Sequence, residues 1–185
     1  MSESSPRLEA EQAAAPRFGV ADVLTALRLP LAAWFVLAKD DDHRLVILVI
    51  AGLTDLLDGA LARRVGPSRL GAFLDPVADK LFMATAFAVV LFSGRLTWYE
   101  ILGVLARDVV ASVAFVVTLV SGKPASIPAR LGGKAVTLAQ MLTLAAALTD
   151  SPLVRPLAWA TAAVALYAIW DYQHAATRAR RPVGG

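Results

Sequence analysis

The chain has no cysteine and only two histidines, His43 and His174. Without cysteine there is no disulfide framework and no thiolate chemistry. One histidine in a polar loop and one in a tail do not make a zinc site. Charge is also scarce: 18% of the 185 residues are charged, against about 25% in an ordinary soluble domain. A formal net charge of +3 with 57% hydrophobic residues excludes a disordered chain. So small a charge offers little to a polyanion, and no nucleic-acid partner is expected. Residues 1–19 lack an apolar run, do not read as a signal peptide, and are expected to form a flexible cytoplasmic tail. Strand-like alternation is missing, which argues against a barrel, and no internal repeat is visible.

What the chain does have is apolar length, with a mean hydropathy of +0.61. Crossing a bilayer core takes roughly 20 helical residues. Six segments come close, at about 20–38, 45–64, 71–92, 98–121, 132–149 and 153–172. The expected fold is all-α: a polytopic membrane protein whose six transmembrane helices form one domain over 20–172, followed by a basic cytoplasmic tail over 173–185. Eleven Lys and Arg residues fall on the side of the termini and of the second and fourth connections, and four on the other side. The positive-inside rule therefore predicts cytoplasmic termini in an integral membrane protein, with basic residues at the inner face of the lipid bilayer. Trp34, Trp98, Tyr99, Trp170 and Tyr172 near span ends read as interfacial anchors. Asp40-Asp41-Asp42 reads as a solvated loop on the far side.

Within these segments stand Asp55, Asp58, Asp75 and Asp79. One central carboxylate facing lipid costs about 3 kcal/mol, and four would cost roughly 10 kcal/mol. They are therefore expected to face the bundle interior. Asp55 and Asp58 are three residues apart and Asp75 and Asp79 four apart, so each pair shares a helix face. The short turn at Gly66-Pro67 makes the two helices antiparallel neighbours. Two facing carboxylate pairs form an oxygen-rich cage suited to hard divalent cations, Mg²⁺ or Mn²⁺. Gly59, Ala62 and Gly71 leave room for close approach on the same faces, and Arg63 at the cytoplasmic helix end can grip a phosphate with two hydrogen bonds. The combination points to metal-assisted phosphoryl transfer at the membrane surface. A structural ion-pair network and a cation or proton carrier are the other readings.

The run Asp55-x2-Asp58-Gly59-x2-Ala62-Arg63-x7-Gly71-x3-Asp75-x3-Asp79 resembles the signature of the CDP-alcohol phosphotransferases, with one departure. That family usually has eight residues between its Arg and second Gly, where this chain has seven. The resemblance implies that Asp55, Asp58, Asp75 and Asp79 bind two metal ions, with Asp79 also acting as general base. It implies that Asp55, Gly59, Ala62, Arg63 and Gly71 line the site for the CDP moiety of CDP-diacylglycerol, with the active site facing the cytoplasm. A homodimer is implied by family analogy alone.

Gly71-Ala72-Phe73-Leu74-Asp75-Pro76-Val77-Ala78-Asp79-Lys80 narrows the acceptor. Pro76 and Lys80 are similar to the branch comprising phosphatidylglycerophosphate synthases and CDP-dependent cardiolipin synthases. Thr25-x2-Arg28 and Gly133-Lys134-x2-Thr137-x2-Gln140 also resemble that branch. A phosphate-bearing alcohol acceptor wants fixed cations, and Lys80, Arg107, Arg130 and Lys134 are the candidates. Asp108 lies about 100° round the helix from Arg107 and is expected to be a poor partner for it, so an acid on another helix is the expected alternative. Gly132-Gly133 is expected to form a simple turn opening the fifth helix. Glycerol 3-phosphate is the preferred acceptor. The lack of a further Arg shortly after Arg107 favours the alternative, cardiolipin synthesis from phosphatidylglycerol.

Overall fold

The computed structural model describes residues 20–65, 71–121 and 131–179, and within them not every side chain. The described residues form six α-helices and no strand: α1 Val20–Leu37, α2 Asp41–Val65, α3 Gly71–Phe92, α4 Trp98–Ser121, α5 Leu131–Leu148 and α6 Val154–Ala179. The all-helical expectation holds, and the apolar segments anticipate the helices to within a few residues at most ends. Two ends differ. Helix α2 begins at Asp41 and not near 45, because Asp40 caps it. Helix α6 runs on to Ala179, beyond the apolar segment that was expected to end at 172, because no proline stops it before Pro182. Among the described residues, no helix is long and apolar enough to cross a membrane.

The chain divides into two compact units, Met1–Ala86 and Phe87–Gly185. In the first, α1 packs on α2. Ala32, Phe35, Ile47, Leu48, Ala51, Ala78 and Phe82 are among its buried apolar residues. Small alanines let helix backbones approach, and the Phe35 and Phe82 rings meet edge-on at 5.9 Å.

The connection between α1 and α2 is clipped by side chains. Asp40 accepts the backbone N–H of His43 at 2.9 Å, an N-cap on α2. Arg44 donates to the carbonyls of Ala38 (2.8 Å) and Phe35 (3.3 Å) at the end of α1 and pairs with Asp41 at 3.0 Å. The Asp40–Asp42 run is thus a helix start, which corrects its reading as a plain loop. The hydrogen bonds from His43 hold the Asp40 carboxyl below its ordinary value near 3.8. A carboxyl depressed in the folded state stabilises it fully above that ordinary value and ceases to do so as pH falls through the lower, folded value. Protection from amide exchange at the start of α2, taken relative to the intrinsic rate at each pH, is therefore expected to stay flat from neutral pH into the mildly acidic range and to fall only below the ordinary carboxylate range. The Asp40→Ala variant should exchange fast throughout.

In the second unit, α6 packs against both α4 and α5. Gly103 of α4 lies so near α6 that a Cβ there would sit 3.1 Å from Cβ of Ala162. The buried hydroxyls of Thr143 and Thr161 hydrogen-bond across α5 and α6 at 2.9 Å. Helix α4 opens with Glu100 reaching back to cap Thr97. The backbone N–H and hydroxyl of Thr97 both donate to Glu100, at 2.8 and 2.7 Å. Helix α5 closes on a Schellman turn: Ser151 N–H reaches the Ala146 carbonyl at 2.9 Å, and Asp150 takes the left-handed position with φ 49°. Arg95 donates to the Asp150 carboxylate at 2.9 Å, tying the connection before α4 to the one after α5.

Candidate functional site

In the first unit the site is built on a buried cation. Thr25 and Arg28 lie one turn apart on α1, at 2% and 1% relative exposure. Arg28 Nη2 donates to Asp55 Oδ1 of α2 at 2.8 Å. A guanidinium inside an apolar helix is costly unless paired, and a carboxylate on the facing helix offsets that cost. The pairing supplies for Asp55 the neutralising partner that its place in an apolar helix demands. Asp55 retains 40% side-chain exposure, and among the described residues no partner takes its Oδ2. That oxygen, with the all-carboxylate chemistry of the four-aspartate set, fits a hard divalent cation. Asp79 and Lys80 are half-buried on α3 and both are engaged in interactions. Ala78 and Phe82 beside them are buried.

Several predicted site residues lie outside the described residues: the side chains of Asp58, Gly59, Ala62, Arg63, Gly71 and Asp75, and all of Arg130. The helical backbone nevertheless carries Asp55 and Asp58 on α2 and Asp75 and Asp79 on α3, in the i, i+3 and i, i+4 spacings that put each pair on one face. Among the described residues no group of three metal-ligating side chains is assembled.

In the second unit, Arg107 of α4 pairs with its own neighbour. Arg107 Nη1 lies 3.3 Å from Asp108 Oδ1, which corrects the expectation that Asp108 is poorly placed. The long guanidinium arm spans the turn of helix between them. The other carboxylate oxygen, Asp108 Oδ2, accepts from Gln140 Nε2 of α5 at 2.6 Å, and the same amide also donates to the Val104 carbonyl at 3.0 Å. The amide from α5 thus serves Asp108 and not Arg107, and among the described residues no acid of another helix pairs with Arg107. Gln140 is 1% exposed.

Gly133 is a position within the first turn of α5, not a turn before it, and a Cβ built there would lie 2.6 Å from Arg107 Nη2. Lys134 beside it is exposed, and Thr137 donates back to the Gly133 carbonyl at 3.3 Å. Arg28 and Asp108 are the charged residues at these sites whose pairing the acid pattern does not reveal. The signal for Arg28 is its position in an apolar helix, where an arginine needs an acid. The Arg107–Asp108–Gln140 arrangement carries no such signal, because adjacent residues ordinarily point apart.

The chain matches the CDP-alcohol phosphatidyltransferase family over residues 18–170. A Mycobacterium tuberculosis protein provisionally named phosphatidylglycerophosphate synthase is 34% identical over 181 residues, covering 90% of this chain and 84% of that protein. The Escherichia coli K12 CDP-diacylglycerol–glycerol-3-phosphate 3-phosphatidyltransferase is 35% identical over 138 residues, covering 70% and 76%. A second M. tuberculosis protein, provisionally named cardiolipin synthase, is 35% identical over 128 residues, or 66% of this chain. The match spans only 61% of that relative's length. The four aspartates in otherwise apolar helices, their spacing and a family match over most of the length lead to one conclusion: the chain belongs to the CDP-alcohol phosphatidyltransferase family.

Proposed function

We propose that the protein is an integral membrane enzyme of phospholipid biosynthesis. It transfers the phosphatidyl group of CDP-diacylglycerol to glycerol 3-phosphate, giving phosphatidylglycerophosphate and releasing CMP. The observation that carries the acceptor is the similarity to a phosphatidylglycerophosphate synthase over 90% of the chain, whereas the similarity to a cardiolipin synthase covers 66%.

The Asp79 carboxylate takes the proton of the acceptor hydroxyl. The hydroxyl oxygen attacks the phosphorus that bears the diacylglycerol, the bond from that phosphorus to the CMP oxygen breaks, and CMP departs with the electron pair. Asp55, Asp58, Asp75 and Asp79 would hold two Mg²⁺ or Mn²⁺ ions, whose chemistry is to screen the pyrophosphate and stabilise the leaving charge. Arg28 keeps Asp55 oriented. Gly59, Ala62 and Gly71 admit the nucleotide, and Arg63 grips its phosphates. Lys80, Arg107, Arg130 and Lys134 are the cations that the sequence offers to the phosphate of the acceptor.

Membrane residence is supported by an exterior more apolar than parts of the interior. Leu37, Phe92, Trp98, Val120 and Tyr167 are each more than half exposed, while Arg28, Glu100 and Gln140 are buried. The helices run from 18 to 26 residues. At 1.5 Å per residue that is about 27–39 Å, so length alone suits a hydrocarbon core of about 30 Å, although among the described residues no helix combines that length with sufficient apolarity to cross it. Trp34, Trp98, Tyr99 and Trp170 are all exposed, as interfacial anchors require. The excess of Lys and Arg in the tails and in the second and fourth connections supports a cytoplasmic location for the termini and the site.

The second reading, cardiolipin synthesis from phosphatidylglycerol, is favoured by the similarity to a cardiolipin synthase and by the lack of a further Arg shortly after Arg107. An acceptor panel separates the two. The purified protein receives CDP-diacylglycerol and either glycerol 3-phosphate, phosphatidylglycerol, inositol phosphate or serine, and the product lipid is identified by mass. Phosphatidylglycerophosphate is the expected product. Cardiolipin formed from phosphatidylglycerol, with glycerol 3-phosphate unused, would transfer the assignment to the second reading.

A further inference from the structure

Arg107 has more hydrogen-bonding capacity than its setting uses. A guanidinium carries five N–H donors. Among the described residues its one hydrogen-bond partner is Asp108, reached by Nη1 at 3.3 Å. The side chain is 32% exposed, so the guanidinium is held but not sealed away. Two contacts fix where it lies. On one side Asp108 anchors Nη1, and Asp108 is itself pinned, because Gln140 donates to its second oxygen at 2.6 Å. Gln140 cannot drift, since it is buried and the same amide nitrogen also donates to Val104 O at 3.0 Å. On the other side Nη2 lies over Gly133, in the space a Cβ would fill. The guanidinium is thus set between an anchored carboxylate and a stretch of backbone with no side chain.

We infer that Asp108, Gln140 and Gly133 are positioning residues that hold the Arg107 guanidinium as a preset fork for the phosphate of the acceptor. The inference rests on the proposed function, and it adds the residues on which the fork depends. Gln140 reaches Arg107 only through Asp108, as a neutral amide that can donate to a carboxylate without competing for the cation. Gly133 acts by having no Cβ. A phosphate then meets a planar donor pair already in place, and little side-chain freedom remains to be lost when it binds.

Gly133→Ala is the sharpest probe, because the atom that must give way is the end of a flexible side chain and the fold can stay intact. Gly133→Ala and Gln140→Leu are each expected to raise the KM for glycerol 3-phosphate about tenfold, the scale of one charge-assisted contact. The KM for CDP-diacylglycerol should stay within about twofold of the unsubstituted protein, and kcat should change less than the acceptor KM. On an Arg107→Ala background Gly133→Ala should have no further effect on the acceptor KM, because the group it displaces is gone. A merely structural role would alter both substrates' KM values together, or lower kcat with neither KM changed, and either result overturns the inference. An undiminished effect of Gly133→Ala in the absence of Arg107 overturns it as well. Should Gln140→Leu fail to fold, Gly133→Ala alone decides. If the unsubstituted protein turns over CDP-diacylglycerol with no phosphate-bearing acceptor, the proposed function itself fails, and the inference falls with it.

Discussion

Asp79→Asn is expected to lower the rate of CMP release from CDP-diacylglycerol by about a thousandfold, the middle to upper range for removing a general base. The substitution keeps the size of the side chain and removes its capacity to take a proton. Asp79 stands half-buried on α3 beside the buried Ala78 and close to the buried Phe82, so its position is set by packing that the amide need not disturb. The loss should therefore appear in kcat, with the variant as stable to heat as the parent. A single-turnover assay with excess enzyme checks this, since it reads the chemical step apart from product release. Turnover within about threefold of the parent would remove Asp79 from the role of base.

Arg28→Leu is expected to damage both stability and activity. Arg28 is 1% exposed and donates to Asp55 at 2.8 Å, so the substitution deletes a charge-assisted hydrogen bond inside the first unit. Bonds of that class contribute about 1.5–3 kcal/mol, and the partial exposure of Asp55 favours the lower end of that range. The melting midpoint in detergent should fall, and CMP release should drop by at least about tenfold as Asp55 loses its orientation. Arg28→Lys should recover part of the stability and less of the activity, because an ammonium is a point charge without the planar fork. A leucine variant with parental melting and parental turnover would show that the ion pair serves neither purpose.

Much of this molecule can be read from local pattern. Apolar runs of about twenty residues, broken by short polar gaps, place all six helices, because helical periodicity and helix-stopping residues are properties of neighbours in sequence. The four aspartates stand out for the same reason: charge is conspicuous where charge is scarce. What is less legible depends on contacts between helices or on side-chain reach. The Arg28–Asp55 pair joins residues 27 positions apart, and nothing in either local run specifies the match. The Arg107–Asp108 pair opposes the rule that adjacent helical residues diverge, and a long arginine arm together with the Gln140 amide overcomes that rule. Gly133 reads as a turn glycine in the sequence, whereas the structure shows Arg107 of another helix closely approaching it. Asp150 in the left-handed position stands where glycine is the usual residue, and the Schellman turn and Arg95 hold it there.

The central claim is phosphatidyl transfer, and stoichiometry tests it most directly. Purified full-length protein in liposomes containing CDP-diacylglycerol is given glycerol 3-phosphate, and CMP and lipid product are quantified together, with Mg²⁺ present and again after chelation. The account predicts one CMP for each phosphatidylglycerophosphate formed, and loss of both when the divalent cation is removed. Ion flux across the same liposomes without CDP-diacylglycerol, accompanied by no CMP under any condition, would contradict it and leave the four aspartates as parts of a cation path.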